Sequence, residues 1–528
     1  MRLEHEFRTE LRRAGGLSRR AFLAWTGALG AMAALGKEAV AGPTPRFSRN
    51  PFSLGVASGD PDQQSVVLWT RLAPEPFQPG GGMPAQNVAV AWQIADDEAM
   101  KSIVASGTAV ATPQLGHAVH VEPQGLRADR WYFYQFRVGD ITSPIGRTRT
   151  LPAAGSSPAQ VKFAVTSCQN YEQGLFTAYE QMVRDEPDLV FHLGDYIYEY
   201  AAGRTGQVRT HLGDELQSLD DYRIRFAQYR SDPLLQAMHH GCPWLVTWDD
   251  HEFDNNCAGA VSEEKGVDPI PFLVRRVNAY QAYYEMMPLR RRSLPRGADM
   301  RLYRGASYGD LAELLILDTR QYRSDQPNDD RASALNDAAL NPSQTMLGAQ
   351  QRGWLYQRLI TSQAKWNVLA QQVMMGLVNR GEIDQPKFSM DQWPGYAYER
   401  MQLMRFLHER RVANPVVLTG DIHSNWANEL RVDDRRPDEP LVASEFVATS
   451  LASGGNGPES PPNLDRLLSQ NPCVKFHNVQ RGYILCTVTP DRWRSDYMVV
   501  NDVLKPGGRT TPRASFVVEA GDPAVKPV

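Results

Sequence analysis

Five apolar runs in this chain each end on side chains that can bind metal ions or move protons, in order along one stretch of sequence. The run from Val161 ends on Cys168, and the run from Asp188 ends on Asp195 with Tyr198 three residues later. Trp244–Trp248 leads into Asp249-Asp250-His251-Glu252. Lys365–Ala370 leads into Gln371-Gln372, and Pro415–Gly420 into Asp421, Ile422 and His423. Short unbroken runs of Val, Leu, Ile and Phe are the pattern of strands buried on both faces. In open α/β sheets ligands bind beyond the carboxyl ends of such strands. The spacing therefore predicts one sheet edge lined with thiol, carboxylate, phenol and imidazole. Those donors suit iron or zinc, and surplus oxygen ligands suit calcium, magnesium or manganese. Any one of these elements is weak alone: a free Cys such as Cys168 is usually a small buried hydrophobe, and Tyr196 or Tyr198 could simply pack. Their joint placement constrains the chain.

The rest of the sequence arranges itself around that edge. Residues 46–150 carry short alternating runs (Ser65–Thr70, Val88–Ile94, Trp131–Val138) separated by Gly/Pro-rich stretches, which predicts an all-β sandwich of fibronectin type III-like character. Pro152–Pro158 reads as a linker. A second region over residues 159–520 then alternates strands with helices expected at Gly174–Glu186, Asp220–His239, Pro271–Met287, Gly348–Gln363 and Ala397–Arg411. This predicts an α/β core of mixed sheets flanked by helices. Ser324–Ser343 and Ser453–Pro472 are expected to be surface loops. His192 lies mid-strand and reads as a core residue, the His239-His240 pair as a helix cap or surface pair, and His117 and His120 receive no role. Asn255, Asn256 and Arg320 follow strand ends, where ligand contact and loop capping compete.

The chain of 528 residues has a formal charge of −4. Residues 1–41 are basic, so the remainder carries −7. That acidic body argues against a nucleic-acid-binding surface. Residues 1–41 themselves have the layout of a signal peptide: a basic stretch, the modest apolar run Trp25–Leu35, and Ala39-Val40-Ala41. The run is too short to span a bilayer, so no membrane anchor is expected. Ser18-Arg19-Arg20-Ala21-Phe22-Leu23 resembles a twin-arginine signal, which implies the twin-arginine export machinery as a partner and a periplasmic or secreted, folded product. A monomer is expected. The five cysteines leave pairing open, with Cys242/Cys257 and Cys473/Cys486 as short-loop candidates.

Gly194-Asp195-Tyr196-Ile197-Tyr198 is similar to the Gly-Asp-x-x-Tyr block of purple acid phosphatases. Trp248-Asp249-Asp250-His251-Glu252 stands where the calcineurin-like superfamily has Gly-Asn-His-Glu, and Gly420-Asp421-Ile422-His423 where it has Gly-His-x-His. Cys168 stands where most members have an Asp. With the sandwich ahead of the core, this set of departures resembles the alkaline phosphatase D (PhoD) family. The resemblance covers about residues 46–520 and includes the stretch Trp354 to Gln372. It implies an exported alkaline phosphatase or phosphodiesterase acting on phosphoesters through a bimetallic centre and a metal-bound hydroxide. Ferric iron would be held by Cys168, Asp195, Tyr198 and His423. Asp195 would bridge to calcium, one or two ions, also held by Asp250 and Asp421; zinc or manganese are the substitutes. The sequence leaves Asp249 and Asp250 both open as ligands, and alignment to the superfamily Asn favours Asp250. His251 would stabilise the transition state or protonate the leaving group. An acid phosphatase or nucleotide pyrophosphatase on the same scaffold, and a non-catalytic exported binding protein, are the alternatives.

Overall fold

The computed structural model describes residues 42–528 apart from positions 48 and 207. The signal-like segment of residues 1–41 lies outside the described residues. Two sheets face each other across an apolar core. The first is ten-stranded and contains the parallel strands β1 (Val161–Thr166), β2 (Leu189–His192) and β3 (Trp244–Val246). The second is seven-stranded, with parallel strands β4 (Ala312–Ile316), β5 (Trp366–Ala370), β6 (Pro415–Thr419) and β7 (Ala443–Val447). Between them Phe163, Phe191, Leu314, Val368, Leu418 and Phe446 are buried in one cluster. Every residue of β2 to β7 is buried, which is why these strands read as unbroken apolar runs rather than as alternating ones.

Helices cover the outer faces. On the first sheet lie α1 (Ala178–Arg184), α2 (Leu219–Arg230), α3 (Pro233–Gly241) and α4 (Pro269–Met286); on the second lie α5 (Gly348–Thr361) and α6 (Ala397–Glu409). The single helix expected over Asp220–His239 is two. Asp232 caps α3 by accepting from Leu234 N at 2.9 Å, with Pro233 at its first position. A proline cannot continue the preceding helix, whereas it suits the start of a new one. The second helix carries His239 inward: it stacks on Trp244 at 3.8 Å and meets the Tyr196 hydroxyl at 2.9 Å. It is a buried core residue, not a surface one. The expected loop over Ser453–Pro472 contains a further short helix, α7 (Leu464–Gln470).

The N-terminal region is a sandwich that shares a sheet with the core. Strands Val56–Gly59, Val67–Arg71 and Ala118–Val121 extend the ten-stranded sheet beyond β3, and a five-stranded sheet that includes Val88–Ala95 and Trp131–Val138 packs over them through Leu68, Val90 and Phe136. At the opposite edge, four antiparallel strands from Gly482 to Pro527 complete the same sheet. All five cysteines are buried and none is disulfide-bonded. Among the described residues no helix is long and apolar enough to cross a membrane.

Candidate active site

The carboxyl ends of β1, β2, β3 and β6 converge. Three overlapping groups form there, each with ligand atoms within 4.8 Å of one another: Cys168, Asp195 and His423; Asp195, Asp250 and His251; and Asp249, Asp250 and Asp421. Tyr198 joins the first group. Its hydroxyl donates to Asp195 Oδ2 at 2.8 Å and lies 3.2 Å from His423 Nε2. Tyr196 points into the core instead. Asp250 and not Asp249 shares a group with Asp195, while both belong to the third group.

The backbone at these positions is unusual. Cys168, Asp195, Asp421 and His423 have φ of 56°, 55°, 63° and 55°. The left-handed region costs an L-residue about 1–2 kcal/mol each, and such residues persist only where surrounding contacts over-determine them. Here the contacts are visible. Cys168 N donates to Gly194 O at 3.0 Å, Ser453 Oγ lies 2.7 Å from the Cys168 carbonyl, and Arg481 Nη1 donates to His423 O at 2.5 Å. Gly194 itself has φ of 110°, and a Cβ there would stand 2.4 Å from Asp249 Cβ, so the β2 end can approach the β3 end only without a side chain.

Glu252 fixes the second and third strand ends together. Its carboxylate accepts from the backbone N–H of Asp195 at 3.0 Å, Tyr196 at 2.6 Å and Asp249 at 2.9 Å. Glu199 orients His251 through Nδ1 at 2.8 Å. Burial alone would make His251 harder to protonate, but Glu199, Asp195 and Asp250 outweigh it and hold the imidazole pKa well above its ordinary value. Arg320, 2% exposed, lies among carboxylates: it donates to Asp249, to both oxygens of Asp391 at 2.9 Å and to Asp421 at 3.0 Å, with Asp250 at 3.5 Å.

The charge balance of the site points to cations. Burial and then the neighbouring Asp195 push the Cys168 and Tyr198 pKa values well up. Burial pushes Asp421 up to about 6, with Asp391, Asp250 and Asp195 adding to it and Arg320 opposing. Asp195 is 2% exposed and its Oδ1 has no hydrogen-bond partner, nor does Asp249 Oδ2. A buried carboxylate oxygen without a donor is costly, and a bound cation reverses that balance and the pKa logic around it. The donor set fits such ions: thiol, phenol and imidazole on one side of Asp195, carboxylates on the other.

Two expectations about strand ends need correcting. Gln371 and Gln372 deliver no ligand: Gln372 ties the two sheets together, and Gln371 braces the second sheet. Gln372 Nε2 donates to Thr247 Oγ1 at 2.9 Å and its Oε1 accepts from Thr319 N at 2.8 Å, while Gln371 Nε2 donates to Thr419 Oγ1 at 2.7 Å. Arg320 is a buried bridge among four aspartates, more than a loop cap. Asn255 and Asn256 donate backbone N–H to Glu199 at 3.2 Å and Asp250 at 2.7 Å, which is the capping behaviour. His192 is buried with both ring nitrogens unpartnered.

A family model for the PhoD-like phosphatase matches residues 163–497, which hold every residue of the three groups. The chain belongs to the PhoD-like phosphatase family. A second model, for the N-terminal domain of the family, matches residues 37–152. Alkaline phosphatase D of Bacillus subtilis (strain 168) is 50% identical over 488 residues, which is 92% of this chain and 83% of that one. A solved structure described as the structure of PhoD superimposes with a TM-score of 0.90 at 50% identity, covering 92% of this chain and 93% of the other. The chain is thus a phosphoric ester hydrolase, and the alternative of a non-catalytic binding protein falls away. Within this family fold, Glu199, Asp391, Ser453 and Arg481 are site residues that sequence reasoning missed. Glu199 was the most accessible of them, since it directly follows Tyr198. The others lie on loops whose approach to the site depends on the whole sheet order.

Proposed function

We propose that the chain is an exported alkaline phosphatase and phosphodiesterase whose centre holds two kinds of cation, ferric iron and calcium. The observation that carries this reading is Asp195: a buried carboxylate with one unpartnered oxygen, shared between the Cys168–His423 group and the Asp250–His251 group. Cys168, Tyr198, Asp195 and His423 would hold iron, and Asp195, Asp250 and Asp421 calcium. Bound there, the cations would supply Lewis acidity at the phosphoryl oxygens and acidify water.

The chain's own residues do the rest. Glu199 occupies His251 Nδ1 and leaves Nε2 to donate a proton to the departing alcohol. Against the opposing effect of burial, the Glu199 carboxylate beside the ring favours the protonated imidazole. Arg320 and Glu252 hold the carboxylates and strand ends in register, so little reorganisation is needed at the moment of reaction. Elemental analysis of purified, active protein is expected to find iron and calcium together in stoichiometric amounts. A fully active preparation containing neither would refute the reading.

Export is supported by the signal-like layout of residues 1–41 and by the Ser18–Leu23 block within it. Replacing Arg19 and Arg20 with Lys is expected to leave folded, active precursor in the cytoplasm, and normal secretion of that variant would count against the twin-arginine route.

A further inference from the structure

Three consecutive residues surround the His251 ring. Glu199 meets its Nδ1 at 2.8 Å, the Tyr198 ring lies 4.2 Å away at an interplanar angle of 33°, and the Tyr200 ring stands edge-on at 5.2 Å and 71°. The two tyrosine rings are 6.4 Å apart. Those three separations put the tyrosines on adjoining sides of the imidazole, not one behind the other. A hydrogen bond at Nδ1 decides which nitrogen faces the carboxylate, but it leaves the ring free to tilt about that bond. Flat walls on two sides remove the freedom, and an edge-to-face contact is a favoured one for aromatic rings.

The three residues differ in what else they do. The Tyr198 hydroxyl is engaged with Asp195 and His423, and Glu199 also accepts from Asn255 N at 3.2 Å. Among the described residues the Tyr200 side chain makes no hydrogen bond; its half-buried ring meets His251 and Tyr198 and lies under the Arg204 guanidinium, 4.2 Å from the ring centroid. The backbone of the trio is anchored separately. Arg225 of α2, which is fully buried, donates to the carbonyls of Tyr198 and Tyr200, the latter at 2.9 Å, and Leu216 N donates to Glu199 O at 3.0 Å. Shortening the Tyr200 side chain therefore leaves Tyr198 and Glu199 where they are and removes only one wall.

We propose that Tyr200 is a positioning residue: its ring holds the His251 imidazole at the tilt at which Nε2 reaches the oxygen of the departing alcohol. The proton that leaves Nε2 ends on that oxygen as the P–O bond breaks, and the Tyr200 hydroxyl has no part in the change. The proposal deepens the assignment of His251 as donor to the leaving group and rests on it.

The test uses full-length metal-loaded protein and two esters, butyl phosphate and 4-nitrophenyl phosphate, with released phosphate as the readout. Butoxide needs a proton to leave, whereas 4-nitrophenolate is a stable anion and departs without one. General acid catalysis contributes about 10²–10⁴-fold, and a misaligned donor forfeits part of it. Tyr200→Ala is expected to lower kcat/KM for butyl phosphate about tenfold more than for 4-nitrophenyl phosphate. Loss of folded protein lowers both rates alike and cancels in their ratio. Tyr200→Phe, which keeps the ring, should keep the wild-type ratio, and Tyr200→Leu, which fills space without a flat edge, should fall between. His251→Gln should skew the ratio in the same direction and further, and adding Tyr200→Ala to it should skew the ratio no more. Equal losses on both esters in Tyr200→Ala and Tyr200→Leu, with the skew present in His251→Gln, overturn the positioning role alone. A Tyr200→Phe variant as skewed as Tyr200→Ala overturns it too, because the hydroxyl would then be the working group. An unskewed His251→Gln overturns the donor assignment beneath the proposal.

Discussion

Asp195→Asn is expected to lower kcat/KM by about 10³-fold or more, roughly 4 kcal/mol of transition-state stabilisation, while the protein stays folded. Asp195 is the one residue shared by the Cys168–His423 group and the Asp250–His251 group, so its carboxylate serves both halves of the centre. Asn preserves the shape and one acceptor oxygen but removes the charge, and a neutral amide is a poor bridge between two cations. Folding should tolerate the change, because the contact of Asp195 that organises the strand end is its backbone N–H to Glu252 at 3.0 Å, which Asn keeps. Both iron and calcium contents should fall. Cys168→Ala is the comparator: on the proposed division the thiolate would belong only to the iron half, so that variant should lose iron and its visible absorption while its calcium affinity survives. Unchanged turnover in Asp195→Asn, or retention of both metals, would sink the shared-carboxylate reading.

The legible part of this protein was the part written locally. β1, β2, β3 and β6 are buried apolar runs with a distinctive composition, and their ligands lie two to six residues past each strand end. No knowledge of the neighbours is needed to place Cys168, Asp195, Asp250 or Asp421 at a carboxyl edge once the sheet is parallel. The less legible part depends on which distant segments meet. Ser453 reaches the Cys168 carbonyl across 285 positions of sequence, and Arg320 meets Asp249 and Asp391 each across 71. Gln371 and Gln372 occupy the same kind of strand-end position as the ligands, yet the Gln372 amide bonds to Thr247 and Leu317 across the seam between the two sheets, and the Gln371 amide bonds to Thr419 within the second sheet. Position beyond a strand end therefore nominates candidates, and only the facing element decides between chemistry and stitching. The sheared boundary at Asp232-Pro233 belongs to a third class. Its signal was present in the sequence, an N-cap followed by proline, but the helical periodicity on both sides concealed it.

Calcium removal should silence the enzyme reversibly and leave its iron in place. The half of the site formed by Asp195, Asp250 and Asp421 offers only carboxylates, which hold hard divalent ions in rapid exchange, whereas thiolate, phenolate and imidazole hold ferric iron much more tightly. A calcium-selective chelator is therefore expected to abolish turnover with the visible chromophore largely intact, and added calcium to restore it. The pH dependence follows from Asp421. Burial and the adjacent aspartates raise its pKa to about 6, Arg320 notwithstanding. Protonated Asp421 cannot serve as an anionic ligand, so as pH falls through about 6 calcium should be released and activity lost. As pH rises past that value the ligand ionises and the site fills, which favours alkaline operation. Saturating calcium should shift this acid limb to lower pH, because ligand binding and deprotonation are linked. Asp421→His tests the donor directly: a neutral imidazole lowers the negative charge of the pocket and should move the metal preference from calcium toward zinc or manganese, while Arg320 loses one of its carboxylate partners. Activity that persists with chelator far above total calcium, or an acid limb indifferent to calcium concentration, would refute the division of the centre into an iron half and a calcium half.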